Sequence, residues 1–202
     1  MSFPITEDAI THLKKLDPIM KRLIESADLP YEPTIDDPFH ALVDTIMGQQ
    51  ISEHVKGILM ERLREKAGDI TPEALINLGK KEMHALGISK MKADTILRLA
   101  AMKDVIYSLK NKDLDTVRGT LKSVKGVGEW TIEMFLFVCL QNPHVLSLND
   151  KGIENAIRKL YDVEDSLDGF KDYYYPYESV AAAYLWKSLE LDDKTIDAIK
   201  RG

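Results

Sequence analysis

Cysteine is nearly absent from this 202-residue chain. The single Cys139 lies in the apolar run Phe135-Leu-Phe-Val-Cys-Leu140, so no intramolecular disulfide can form, and a thiol in such a run reads as buried and inert. The five histidines, His12, His40, His54, His84 and His144, fall in no zinc spacing such as His-Glu-x-x-His, which argues against metal catalysis. No stretch approaches the roughly 18 apolar residues of a membrane span. The opening residues Met1-Ser-Phe-Pro-Ile-Thr-Glu-Asp8 lack a basic start leading into an apolar run, so an intracellular, cytoplasmic protein without membrane association is expected. Positive charge is not in excess either: 27 Lys and Arg stand against 33 Asp and Glu, a net charge of −6 with a pI near 5.4. That balance argues against coating of nucleic acid by counterion release over many phosphates, and does not exclude a grip on a few. Period-two alternation is missing, so no strand is expected.

What is present is helix. At 45% hydrophobic and 30% charged, the chain can bury a sizeable core as one domain or two packed lobes. Thr6 can cap a helix to about Lys15, and Asp17-Pro18 and Asp37-Pro38 each combine an N-cap with a first-position proline. Behind Asp37, Phe39, Leu42, Val43, Ile46 and Met47 share one helical face. Further starts fall at Ser52, running toward Ala67, and at Thr71-Pro72. Ser89 to about Leu109 reads as one helix through Met91, Ala93, Ile96, Leu97 and Ala100. The proline-bearing segment Asp28–Asp37 and the weakly periodic Leu167–Tyr175 are candidate joints between lobes.

The most informative stretch is Leu121-Lys-Ser-Val-Lys-Gly-Val-Gly-Glu-Trp-Thr131, followed nineteen residues later by Asp150. A Gly-x-Gly turn between helices offers backbone N–H groups and a helix N-terminus to an anion, and a nucleic-acid phosphate suits that flat donor array, with Lys122 and Lys125 placed to help. A plainer reading also fits: one glycine ends a helix and the other lets two helices approach. Trp130, with Met134, Phe137 and Val138 at helical spacing, can be core. Asp150, ahead of the amphipathic Lys151–Leu160, can be an N-cap. Taken singly, the residues leave both readings open. Leu86-Gly-Ile-Ser-Lys-Met-Lys-Ala93 echoes the hairpin with one glycine and reads as an ordinary helix joint.

In order and spacing the chain resembles the helix-hairpin-helix DNA glycosylases, and among them the DNA-3-methyladenine glycosylase II branch. The likeness runs from about Asp17 to Lys187. It rests on Phe39–Ser52 ending Met-Gly-Gln-Gln-Ile-Ser, the hairpin Val124–Thr131, Asp150, and Pro176-Tyr-Glu-Ser-Val-Ala-Ala-Ala-Tyr-Leu-Trp186. The resemblance implies an all-α fold of two helical lobes with the active cleft between them. One lobe would be about 38–142, carrying the helix-hairpin-helix at about 115–139, and the other 1–37 plus 143–202. It implies a monofunctional enzyme that flips an alkylated purine out of double-stranded DNA and hydrolyses its N-glycosidic bond, starting base excision repair.

By the same resemblance Asp150 is the catalytic acid. Its chemistry is also arguable directly: an ionised carboxylate beneath the sugar stabilises the positive charge of the transition state and activates water, and a helix N-terminus is a favourable place for negative charge. Trp130 and Trp186 match the aromatic base pocket, where a flipped cationic base is received by stacking and cation–π attraction. Met134 and Tyr184 join them, with Tyr177 as a further candidate. Lys125, Gly126, Val127 and Gly128 match the phosphate hairpin. Gln50, with Ile51 beside it, matches the wedge that fills the space of the flipped base. No cofactor is implied beyond a monovalent cation at the hairpin, and a monomer suffices. Bifunctional relatives place a Schiff-base lysine where Trp130 stands, and an indole cannot form one. Ser147-Leu-Asn149 replaces the family's usual proline and second acid. Glu178 stands where relatives usually carry arginine, which removes a phosphate contact and adds repulsion. A non-catalytic hairpin module that only binds DNA, and an all-helical protein using its acidic surface on a protein partner, are the competing readings.

Overall fold

Each helix start in this chain must satisfy backbone N–H groups that have no partner inside the helix, and short polar side chains do so almost everywhere. The structure, a computed structural model, describes residues 5–27 and 34–201, and all regular structure among them is helical. Thr6 accepts from the Ala9 amide ahead of α1 (Glu7–Leu16), and Asp17 accepts from Ile19 and Met20 ahead of α2 (Pro18–Ser26). Asp37, Ser52, Thr71 and Ser89 cap α3 (Pro38–Gly48), α4 (Glu53–Ala67), α5 (Pro72–Ala85) and α6 (Lys90–Ala101) in the same way. Asp113 caps α8 (Leu114–Lys122) and Asp150 caps α10 (Lys151–Tyr161). α7 (Lys103–Ser108), α9 (Glu129–Val138) and α11 (Glu178–Ser188) start without a side-chain cap, and α12 (Asp193–Arg201) closes the chain. Among the described residues no helix is long and apolar enough to cross a membrane.

Two departures from the expected helices are local. The stretch read as one helix from Ser89 to Leu109 breaks at Met102 (φ −103°, ψ 21°) into α6 and α7, followed by a short 3-10 turn at Leu109–Asn111. α5 is kinked where Gly79 adopts φ 74°, ψ 165°. Leu167–Tyr175 holds only a 3-10 turn, Asp168–Phe170, and residues 28–33 of the expected joint lie outside the described residues.

The chain divides into two compact units, residues 1–34 with 141–202, and residues 35–140. In the second, α3 is the central helix. Phe39, Ala41, Leu42, Val43, Ile46 and Met47 are all buried, and α4, α6, α7 and α9 pack around them. A helix apolar on nearly every side belongs in a core, which also accounts for α9, where Ile132, Met134, Phe135, Leu136 and Phe137 are buried. Cys139 follows α9, 5% exposed, with its sulfur 4.0 Å from the Asp36 carbonyl oxygen; burial pushes its thiol up to about 12.

In the first unit α2 packs against α1, α11 and α12, and α10 against α11 and α12. α10 buries Ile153, Ala156, Ile157 and Leu160, an i, i+3, i+4, i+7 stripe worth about 1.5–3 kcal/mol for each large side chain. A buried polar cluster joins the elements. Asp17, 2% exposed, accepts from two α2 amides through Oδ1, and through Oδ2 from Tyr161 Oη at 2.6 Å and Tyr174 Oη at 3.1 Å. Burial, reinforced by the Asp17 charge, raises both phenols above the ordinary tyrosine value.

Asp17→Ala is therefore expected to lower stability by about 2 kcal/mol or more, since it removes a cap and leaves the Tyr161 and Tyr174 hydroxyls only each other, 2.6 Å apart, as partners, so that one proton loses its acceptor. Asp17→Asn should cost less, and urea unfolding measures both. Because the folded phenols hold their protons above the pH of about 10 at which unfolded tyrosines ionise, their contribution is complete below that pH. It fades as pH rises through the folded values. Alkaline unfolding should begin at lower pH in the wild type than in Tyr161→Phe/Tyr174→Phe compared with its own neutral stability.

Candidate functional site

In the unit spanning 35–140, α8 ends at Lys122 and the chain turns through Ser123–Gly128 into α9. Gly126 adopts φ +99°, and a Cβ built there would stand 2.0 Å from Thr95 Oγ1, so a side chain is excluded both by backbone conformation and by space. Gly128 differs: its φ is −102° and nothing lies within 4 Å of a Cβ placed on it. Its N–H and that of Gly126 find no acceptor among the described residues, and α9 begins without a side-chain cap. Lys125, Gly126 and Gly128 are exposed while Val127 is buried, 8% exposed, and anchors the turn from beneath. The result is an outward-facing row of donors at a helix N-terminus, a ready site for an anion.

The turn is tied to its neighbours through its carbonyls. Thr95 Oγ1 donates to Lys125 O at 3.2 Å and Arg98 lies 3.5 Å from the same oxygen. Gln49 Nε2 donates to Thr131 Oγ1 at 2.8 Å and to Gly126 O at 3.3 Å, fastening the end of α3 to the hairpin. Lys92, 8% exposed, donates from Nζ to Met47 O at 2.7 Å, and burial lowers its ammonium from the ordinary lysine value. Just after these two ties, Gln50 is exposed with φ 59°, an uncommon conformation for a residue with a side chain. Ile51 beside it is half-buried. Trp130, half-buried, and Met134, buried, lie four residues apart on one face of α9. The single-glycine echo is a closed joint: Ser89 Oγ accepts from the Lys92 amide, so α6 starts with its donors engaged.

In the unit formed by 1–34 and 141–202, Asp150 caps α10 and its Oδ1 accepts from the Ile153 amide at 2.9 Å. The same oxygen accepts from Trp186 Nε1 at 2.8 Å. Asp150 and Trp186 are thus brought together from α10 and α11. Tyr184 is buried on α11, 5% exposed, and Tyr177 precedes that helix, its ring 5.3 Å from His12. Glu178 departs from expectation. Its carboxylate is buried, 5% exposed, and accepts from His144 at 3.0 Å, so the repulsive surface charge read from the sequence is turned into the fold. Sequence reasoning passed over Gln49, Lys92, Thr95 and Gly152. Gln49 and Lys92 sit inside quoted motifs with no role given to them, whereas Thr95 and Gly152 carry no local signal beyond a glycine in a first helical turn.

Residues 43–169 match the family described as HhH-GPD superfamily base excision DNA repair protein. DNA-3-methyladenine glycosylase 1 of Schizosaccharomyces pombe is 28% identical over 91% of this chain and 88% of its own. The crystal structure of a DNA-3-methyladenine glycosidase from Bacillus halodurans superposes with a TM-score of 0.72 at 28% identity, covering 93% of this chain and 91% of that one. The Schizosaccharomyces pombe 3-methyladenine DNA glycosylase bound to abasic DNA shares the fold at a TM-score of 0.83 and 24% identity, over 92% of this chain and 98% of that one.

The two hairpin glycines should separate in a stability measurement. Gly126→Ala meets both the Thr95 side chain and a positive φ, and is expected to cost about 2 kcal/mol or more. Gly128→Ala should stay within about 1 kcal/mol of the wild type in the same denaturant titration.

Proposed function

The chain belongs to the HhH-GPD superfamily of base excision DNA repair proteins, and on that footing we propose the reaction and the residues that perform it. It is a monofunctional DNA glycosylase that removes alkylated purines of the 3-methyladenine type, acting as a monomer on double-stranded DNA wherever the cell keeps it. The observation that carries this reading is the Asp150 carboxylate, held at the N-terminus of α10 by an amide and an indole. A module that only bound DNA would need the helix cap but not the second donor that α11 brings to the same oxygen.

The hairpin grips a phosphate through the outward N–H groups of Gly126 and Gly128, with Lys125 adding charge. Gln50 enters the stack as the extruded nucleotide leaves, supported by the ties at Gln49 and Lys92. The flipped cationic base is received against the Trp130 indole, with Met134 one turn further along the same face of α9. An alkylated purine is already cationic, so it leaves with the electron pair of the glycosidic bond without a strong acid on the base side. Asp150 stabilises the positive charge that develops on the sugar and takes up a proton from the water that adds at the anomeric carbon. Trp130 cannot form a Schiff base, so the product is an intact abasic strand. A monovalent cation at the hairpin would find the Lys125 and Gly126 carbonyls already engaged by Thr95, Arg98 and Gln49, so those two do not fit as its ligands. No step depends on such an ion.

Asp150→Asn keeps an oxygen that both donors can reach, and stability should stay within about 1 kcal/mol of wild type. Single-turnover release of 3-methyladenine should fall on the order of 100-fold or more. Unchanged excision would remove Asp150 from the reaction. The product strand should break only after alkali or heat, and borohydride should trap no covalent complex. Gly128→Asp, set in open space, should fold normally yet lose affinity for abasic-analogue DNA.

A further inference from the structure

The bond between Trp186 and Asp150 assigns the indole a task beyond the base pocket. We infer that Trp186 is a positioning residue that fixes the plane of the Asp150 carboxylate, and that Gly152 is the space this pairing requires. The inference rests on the reading of Asp150 as the acid of the glycosylase reaction.

An indole N–H can only donate. Trp186 Nε1 directs it at Asp150 Oδ1 from 2.8 Å, while the Ile153 amide reaches the same oxygen from 2.9 Å. One donor comes from α11 and the other from the first turn of α10, two helices that pack together. A carboxylate with one oxygen held from two directions cannot rotate about its terminal torsion without breaking a bond to a charged acceptor, and such bonds are the stronger kind. An N-cap alone would need only the amide; the indole adds the orientation that an acid beneath a reacting sugar needs.

Gly152 shows how tightly this is built. A Cβ there would lie 2.9 Å from Asp150 Oδ1, 3.0 Å from Trp186 Cδ1 and 3.1 Å from Trp186 Nε1. Glycine is disfavoured inside a helix, and this one is kept where any side chain would push the indole off the carboxylate. The preference for glycine here is spatial, since its φ lies outside the left-handed range.

Trp186→Phe keeps an aromatic face and deletes the donor. It should slow single-turnover excision by up to about 100-fold, the scale of a misplaced catalytic group, while affinity for abasic-analogue DNA changes less than about twofold. Benzothienylalanine at 186, with sulfur in place of N–H and the indole's shape retained, should slow excision similarly; this also covers a failure of the phenylalanine variant to fold. Gly152→Ala should follow the same pattern. In nitrogen-15 spectra, the Trp186 indole N–H resonance should move upfield in Asp150→Ala. A wild-type rate with benzothienylalanine, or an unmoved indole resonance, overturns the inference. Asp150→Asn measured in parallel separates the causes. If it too excises normally, the glycosylase role of Asp150 fails; if it is inactive while the 186 variants are normal, only the positioning role fails.

Discussion

Unsatisfied amides at helix starts are the constraint from which the rest of this structure follows. An all-helical chain exposes such groups at every start. Threonine, serine and aspartate close them at Thr6, Asp17, Asp37, Ser52, Thr71, Ser89, Asp113 and Asp150. Three starts, those of α7, α9 and α11, lack such a side chain, and of these α9 is the one that follows a Gly-Val-Gly turn, with Gly128 as its cap residue. In the proposed reaction one cap also does a second job. Asp150 satisfies α10 as any aspartate would, and the charge that makes it a good cap is the charge a developing sugar cation calls for.

Acidity of the whole chain and affinity for a polyanion are reconciled at the same place. A grip made of main-chain donors needs few lysines, so the net charge of −6 sets the reach of non-specific attraction rather than the strength of a local contact. Glu178 illustrates how misleading a charge count can be. It adds a negative charge to the sequence, but its carboxylate is buried against His144, where a ligand at the surface does not touch it.

Local chemistry was legible in the sequence and distant pairing was not. Caps and first-position prolines mark α1 to α5 because those signals act within four residues. The break at Met102 escaped notice for a clear reason: Leu99, Ile106 and Leu109 keep the spacing of one continuous helix, so periodicity passes through an interruption that no glycine or proline marks. At the site, the hairpin, Gln50 and the acid were readable as motifs, whereas their supports were not. Gln49 reaches a carbonyl 77 positions away and Trp186 a carboxylate 36 positions away. Such bonds exist only once the chain has folded. The resemblance suggested a stacking wall at 186; the indole's edge, which faces the acid, has no signature in sequence.

Cys139 has a practical consequence. With its sulfur beneath the Asp36 carbonyl and its thiol pushed up to about 12, the chain's one native cysteine offers almost no thiolate at neutral pH. The natural sequence is therefore already a silent background for thiol chemistry. A cysteine introduced at an exposed hairpin position such as Lys125 would be the sole point of attachment for a fluorophore or spin label, reporting on the turn without any other residue having to be replaced first.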